Sequence, residues 1–318
     1  MKLKTFYELT VKKGLKEDPR PKSAIEEGLK KTRQEYRKIK GIDKKFFDKE
    51  RLKHPYDDTR ILYGSGNEEI KTIMVGIDMG VPELLLADRL REKGTRVDLV
   101  ISHHPAGRAL AQLHNVMAIQ PSIWEKFGFT KDIAQGLMKD RMQEVERHIN
   151  PSNVTRAVDA AKLIKIPFMC IHTAADNCVA NYLQKFFDRR KPKKLKNIIE
   201  MLKKIPEYRY SIGSGAGPFI LIGEEKNKAG KIFVDMTGGT SGPDRLWARM
   251  SQSGVNTIVG MHCKDSSFKT AKHDFINYVI AGHMASDTLG LNLLFDEIEK
   301  KGKLKIIECS GFKRFRRK

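Results

Sequence analysis

The side chains best able to do chemistry in this 318-residue chain stand in three short groups. Ser102, His103, His104 and Pro105 follow directly on the mainly apolar residues 97–101, His172 and Asp176 follow residues 166–171, and His283 and Asp287 follow residues 278–281. In α/β folds the C-terminal end of a strand projects side chains into a crevice, where ligands bind. Two successive histidines leaving a strand point in different directions, so they can serve two neighbouring cations, and Pro105 stops the strand from continuing. Four residues apart, His283 and Asp287 share one face of a first helical turn. Three imidazoles (His103, His104, His283) and two carboxylates (Asp176, Asp287) without a thiolate suit Zn, Mn, Fe or Ni. A carboxylate that bridges two cations lets these five residues hold a pair. Taken singly, each residue reads as well as a hydrogen-bonded histidine or an N-cap aspartate; the joint occurrence at strand ends is what favours a metal site.

Lesser candidates surround these groups. Gly238, Gly239, Thr240 and Ser241 lie in a loop after the apolar residues 231–236 and before a helix expected to open at about Pro243, where backbone N–H groups could hold an anion such as a phosphate. The alternative is a tight left-handed turn between strand and helix, and the loop matches neither a dinucleotide fingerprint nor a P-loop. His172 and His262 are candidates for orienting ligands or moving protons. Trp124 and Trp247 sit among apolar neighbours at helical spacing and are expected in the core.

The elements that must position these residues alternate between short β-branched runs (71–78, 97–104, 166–173) and helical stretches (82–94, 153–165), a rhythm that indicates a layered α/β fold. A second set of strands is expected at 217–223, 231–236, 256–262 and 276–283, followed by a helix at 289–302 and a last strand at 303–309. Ser23 is placed as the cap of an amphipathic helix over residues 24–40. The division expected is a basic helical arm over 1–55, a first α/β domain over 56–190, and a second over 191–318 ending in a basic tail, with 184–207 as the connection.

At these residues the chain resembles the Nif-three-like (Ngg-one-interacting-factor-three) family of dinuclear metal-centre hexameric proteins, the type-2 homologues of GTP cyclohydrolase I. The family pattern of a strand ending in I-[ST]-H-H-P, an H-T-x-x-D segment and a late G-H-x-x-x-E stands here as residues 101–105, 172–176 and 282–287. The resemblance spans about residues 55–310 and includes residues 75–78 and 236–239. It implies a homohexamer of two-domain α/β subunits, with a two-metal site between the domains formed by His103, His104, Asp176, His283 and Asp287. One departure touches the site: the last family carboxylate is Glu, and Asp287 is one methylene shorter, so the backbone must approach more closely or hold one ion more loosely.

The chain carries 60 Lys+Arg against 39 Asp+Glu, a formal net charge of +21. The excess is confined to residues 1–60 (+8), 184–207 (+6) and 300–318 (+8), while the body carrying the histidine motifs is close to neutral. Basic segments of this kind bind nucleic acid through counterion release or merely solubilise the periphery, and no nucleic-acid recognition motif accompanies them. With no apolar run of spanning length, no apolar leader core and four scattered cysteines, a cytoplasmic protein without membrane contact and with reduced thiols is expected. The leading expectation is a metal-dependent hydrolase in which metal-bound hydroxide is the nucleophile. The resemblance implies a small-molecule, nucleotide-like substrate, and a phosphoester hydrolase would use the same ion pair. The competing expectation is a non-enzymatic hexamer that stores metal or associates with nucleic acid through its basic arm and tail.

Overall fold

A computed structural model describes residues 1–317. In chain order, α1 (Leu3–Glu17), α2 (Lys22–Lys38) and α3 (Gly41–Phe46) precede β1 (Arg60–Tyr63), β2 (Thr72–Gly76), α4 (Val81–Glu92) and β3 (Leu99–Ser102). Then come α5 (Gly107–Ala111), α6 (Leu113–Val116), α7 (Gln120–Trp124), α8 (Lys131–Ile149), α9 (Arg156–Leu163) and β4 (Phe168–Cys170). Next are α10 (Thr173–Arg190), α11 (Leu195–Leu202), α12 (Pro206–Ile212), β5 (Phe219–Ile222) and β6 (Lys231–Asp235). The chain closes with α13 (Leu246–Gln252), β7 (Val255–Gly260), α14 (Asp265–His273), β8 (Asn277–Ile280), α15 (His283–Ile298) and β9 (Lys305–Glu308).

The strands build two sheets, ordered β1-β4-β3-β2-β9 and β5-β8-β7-β6. In each, one edge strand is antiparallel and the rest are parallel. Every residue of β2, β3 and β4 is buried, as parallel strands covered on both faces require. Between the sheets lie α10 and α15, which pack along each other. Ala174, Ala175 and Cys178 with Leu291, Leu294 and Phe295 face the first sheet, while Val179, Leu183 and Phe187 with Leu289 face the second. Helices α4 and α9 cover the far side of the first sheet, and α7, α8, α13 and α14 that of the second. Trp124 and Trp247 are both in this last core, as their apolar surroundings indicated. The fold is two layered α/β units of similar topology sharing a helical middle layer.

Several boundaries differ from expectation. Helix α2 starts at Lys22, because Pro21 takes the extended N-cap conformation, and Ser23 lies inside the first turn without capping it. The N-terminal segment is helical, but α1 belongs to the core and is not an appendage. Leu3 and Phe6 are fully buried beside Phe295, and a Cβ at Gly14 would lie 2.7 Å from that of Ala174. Truncating a buried Phe such as Phe6 costs about 3–5 kcal/mol, too much for a dispensable arm. The stretch 184–207 is not a connection either: α10 runs through Arg190, and Leu195, Ile198 and Leu202 of α11 are buried. Strand β9 returns to the first sheet in parallel with β2, so the end of the chain is not confined to the second unit. Its basic tail folds back instead of extending. Arg314 donates to Asp296 at 2.6 Å and Glu299 at 2.7 Å, and Arg317 grips both oxygens of the buried Glu207. Among the described residues no helix is long and apolar enough to cross a membrane.

Candidate metal centre

Backbone pairing past the strand ends sets the first two histidines. His103 N–H donates to Gly76 O and His104 N–H to Ile77 O, both at 2.9 Å, extending the ladder beyond β3. Ser102 Oγ donates to His104 O at 2.7 Å and holds the turn. His172 follows β4 as the residue before α10, and Asp176 lies in that helix's first turn, with its N–H on His172 O. Gly282 turns the chain from β8 into α15 at φ +110°, a left-handed conformation that favours glycine. A Cβ there would also lie 2.9 Å from Ala216 O. His283 opens α15 and Asp287 comes one turn later.

All five expected residues converge at the N-terminal ends of the middle-layer helices. His103 Nε2 lies 3.3 Å from Asp176 Oδ1 and 3.4 Å from Asp287 Oδ1. The other oxygen, Asp287 Oδ2, is 3.5 Å from His104 Nε2 and 3.4 Å from His283 Nε2. Two sets with metal-ligand spacing result, His103/Asp176/Asp287 and His104/His283/Asp287, and they share Asp287. A third set joins His172 to His103 and His104, which gives His172 a nearer position than an orienting role alone requires.

Hydrogen bonds fix how these rings face. His103 Nδ1 is 2.8 Å from Ile171 O, His104 Nδ1 is 2.6 Å from Asp78 Oδ1, and His172 Nδ1 is 2.8 Å from Asp58 Oδ2. These oxygens only accept, so in the neutral ring each Nδ1 carries the hydrogen, which leaves each Nε2 facing the cluster to take a cation. Carbonyl and carboxylate partners of this kind orient metal-binding imidazoles and raise their basicity. Asp58 is fully buried and also accepts from Thr173 Oγ1 at 2.6 Å.

The donor set fits divalent cations. His103 Nε2, Asp176 Oδ1 and both oxygens of Asp287 are buried with no hydrogen-bond partner, and orphaned buried polar atoms are rare unless something binds them. Electrostatics agree in direction. Burial opposes charge on Asp287, yet the neighbouring histidines, His103 foremost, hold its carboxyl well below the usual carboxylate range. Burial likewise opposes the imidazolium of His103, but Asp287 and Asp176 outweigh it and raise the pKa well above normal. The site therefore favours a bound cation, whether a proton or a metal.

A cavity of about 300 Å³ opens over the cluster and is also lined by Asp235, His262, Gly239, Thr240 and Ser241. His262 stands with its ring 4.9 Å from that of His283 but joins none of the ligand sets. Burial pushes the Asp235 carboxyl up to about 6. The loop is a tight turn with φ +96° at Gly238 and +84° at Gly239. Gly238 is not among the lining residues, and its carbonyl, like that of Thr240, accepts from Gln120 Nε2 at 2.7 Å. The following helix, α13, opens at Leu246 instead of Pro243, because Pro243 begins a turn closed by Leu246 N–H on its carbonyl. At seven residues it supplies no helix N-terminus at the expected place for an anion.

Asp58, Asp78 and Asp235 belong to the site but lie outside its histidine motifs. Asp78 carried a signal, as the last residue of the segment 75–78 at a strand end. Asp58 carried none, since 114 residues separate it from His172.

No protein-family model and no curated protein matches the chain. Among solved structures it is similar to a NIF3 superfamily protein from Sphaerobacter thermophilus, with 24% identity over 80% of this chain and 91% of that one and a TM-score of 0.68. It is also similar to reduced HcgD from Methanocaldococcus jannaschii, with 16% identity over 78% of this chain and 87% of that one and a TM-score of 0.48. A Bacillus cereus protein related to NIF3 matches with 10% identity over 79% and 89% of the two chains and a TM-score of 0.40. The first of these establishes a NIF3-like fold.

Proposed function

We propose that, on this NIF3-like fold, the histidine–aspartate cluster holds two divalent cations and the protein is a metal-dependent hydrolase acting as a homohexamer. The observation that carries this reading is the sharing of Asp287, whose two oxygens face different histidines in two overlapping ligand sets. His103 and Asp176 would complete one set and His104 and His283 the other. Zn, Mn, Fe or Ni in such sets supplies Lewis acidity and lowers the pKa of a water towards neutrality. The chain's own groups hold and orient. Ile171 O, Asp78 and Asp58 keep the three Nε2 atoms aimed inward. Asp235, whose carboxyl burial pushes up, stands at the cavity wall as a group able to hold a proton. The cavity of about 300 Å³ suits a small molecule, and the nucleotide-like heterocycle implied by the sequence resemblance belongs to this proposal.

The test combines native mass, elemental analysis and turnover. Protein loaded with Zn, Mn or Fe should carry about two ions per subunit in a particle of six subunits and hydrolyse at least one member of a panel of nucleotides, purines and phosphoesters. Activity should vanish in Asp287→Ala. A metal-free monomer under replete conditions, or loaded protein inert on the whole panel, would sink the hydrolase reading.

A further inference from the structure

A second cavity exceeds the one over the histidines in volume. A cavity of about 1040 Å³ lies between α10, the edge strand β6 and the segment around α7. Its floor is apolar, with Trp124, Phe187, Phe233 and Val234 buried in it. Seven lysines and two aspartates line it, and all seven lysines are exposed. Lys191, Lys193 and Lys194 come from the basic stretch whose charge the metal centre does not use, and Lys231 stands 5.3 Å over the ring of Phe127.

From this geometry we infer that the cavity binds a single-chain amphiphilic anion: an alkyl chain on the apolar floor and a carboxylate or phosphate head among the rim lysines. Charge complementarity selects the head. The apolar floor and the closed edge of β6 select the body. Gln184 accepts from Val234 N–H and donates to Ile232 O, so it closes the free edge of β6 against an added peptide strand. Asn181 donates to Glu17 at 2.6 Å, and Gln120 donates to Gly238 O and Thr240 O. A nucleobase would lay ring donors and acceptors against the apolar floor of Phe187, Phe233 and Val234, which offers them no partner, each unpaired one costing about 1–3 kcal/mol. An alkyl chain carries no such groups. The volume lies just above the range for small-molecule sites, roughly 300–1,000 Å³, and leaves room for an extended chain.

The experiment uses the full chain and dodecanoate or dodecyl phosphate below micelle-forming concentrations, followed by calorimetry and, in a Trp247→Phe background that leaves Trp124 as the one fluorophore, by tryptophan fluorescence. One ligand per subunit is expected, with a Kd of roughly micromolar order. Lys194→Glu with Lys231→Glu should weaken binding at least about tenfold. Ala180→Leu, which adds volume from the α10 wall, should block it while circular dichroism shows the fold retained. No saturable binding of either amphiphile overturns the inference. So does binding unchanged in both variants, or equal binding of guanosine monophosphate or inorganic phosphate. Loss of subunit assembly in the same variants, read by native mass, also overturns it, because the face would then cover a second copy.

Discussion

A Cβ placed on Gly290 would lie 2.5 Å from the carbonyl oxygen of Ala175, so α15 and α10 touch backbone to backbone at this point. Asp287 lies three residues before Gly290 and Asp176 immediately follows Ala175. The close approach of the two helices holds the short aspartate at 287 beside Asp176 and within 3.4–3.5 Å of His103, His104 and His283. Gly290→Ala should force them apart, destabilise the fold by about 1–3 kcal/mol as overpacking does, and reduce metal retention. Thermal melts and elemental analysis after dialysis check this. Full metal content with an unchanged Tm would refute the close-approach account.

Asp78 is largely exposed, yet it accepts from His104 Nδ1 at 2.6 Å. Its removal should leave stability within about 0.5 kcal/mol while lowering metal affinity roughly 10–100-fold, as loss of an orienting partner does. Titration of Zn into Asp78→Ala, beside a denaturation curve, separates the two effects. Equal affinity in variant and wild type would remove Asp78 from the site.

Because both ligand sets use Asp287, single substitutions should differ in stoichiometry. His283→Ala touches only the set formed with His104 and should lower the metal count from about two per subunit to about one. Asp287→Ala touches both and should lower it to near zero. Native mass spectrometry under non-denaturing conditions reads the counts directly. Identical counts in the two variants would contradict a shared carboxylate.

His54 gives a pH dependence that is independent of the metal centre. It is buried, its Nδ1 accepts from Tyr56 N–H, and Nε2 lies 2.7 Å from Tyr7 Oη. Burial, and then the charge of Arg60, lower its pKa from 6.5 to about 3. The native state keeps the ring neutral while the unfolded chain takes up a proton below 6.5, so the unfolded state binds more protons. Stability from this group is complete above 6.5 and falls by up to about 1.4 kcal/mol per unit as pH drops towards 3. Urea denaturation between pH 7 and 4.5 should show a shallower decline in His54→Gln than in wild type. Parallel curves would mean that His54 carries a proton in the folded protein.

Local chemistry made much of the site legible. The runs ending at Ile101, Ile171 and Ala281 are apolar and β-branched enough to declare strands, and His103, His104, Asp176, His283 and Asp287 lie just past their ends. The long α10 was less legible, because its buried residues from Thr173 to Phe187 are interleaved with the polar and basic ones that resembled a connection. Strand β1 carries as little local signal: Arg60–Tyr63 is four residues long and only its first residue is buried.

The sequence by itself determined the ligand types, their place at strand ends and the concentration of positive charge in three segments, because these are properties of residue identity and short spacing. Tertiary structure alone decided that Asp287 is shared, since that depends on α10 and α15 meeting at Ala175 and Gly290. It alone decided that Asp58 aims His172, and that α1 is core. It also divided the charge, turning Arg314 and Arg317 inward onto carboxylates while leaving the lysines of 185–194 around an apolar cavity. Those outcomes rest on distances between segments far apart in the chain, which local spacing does not encode.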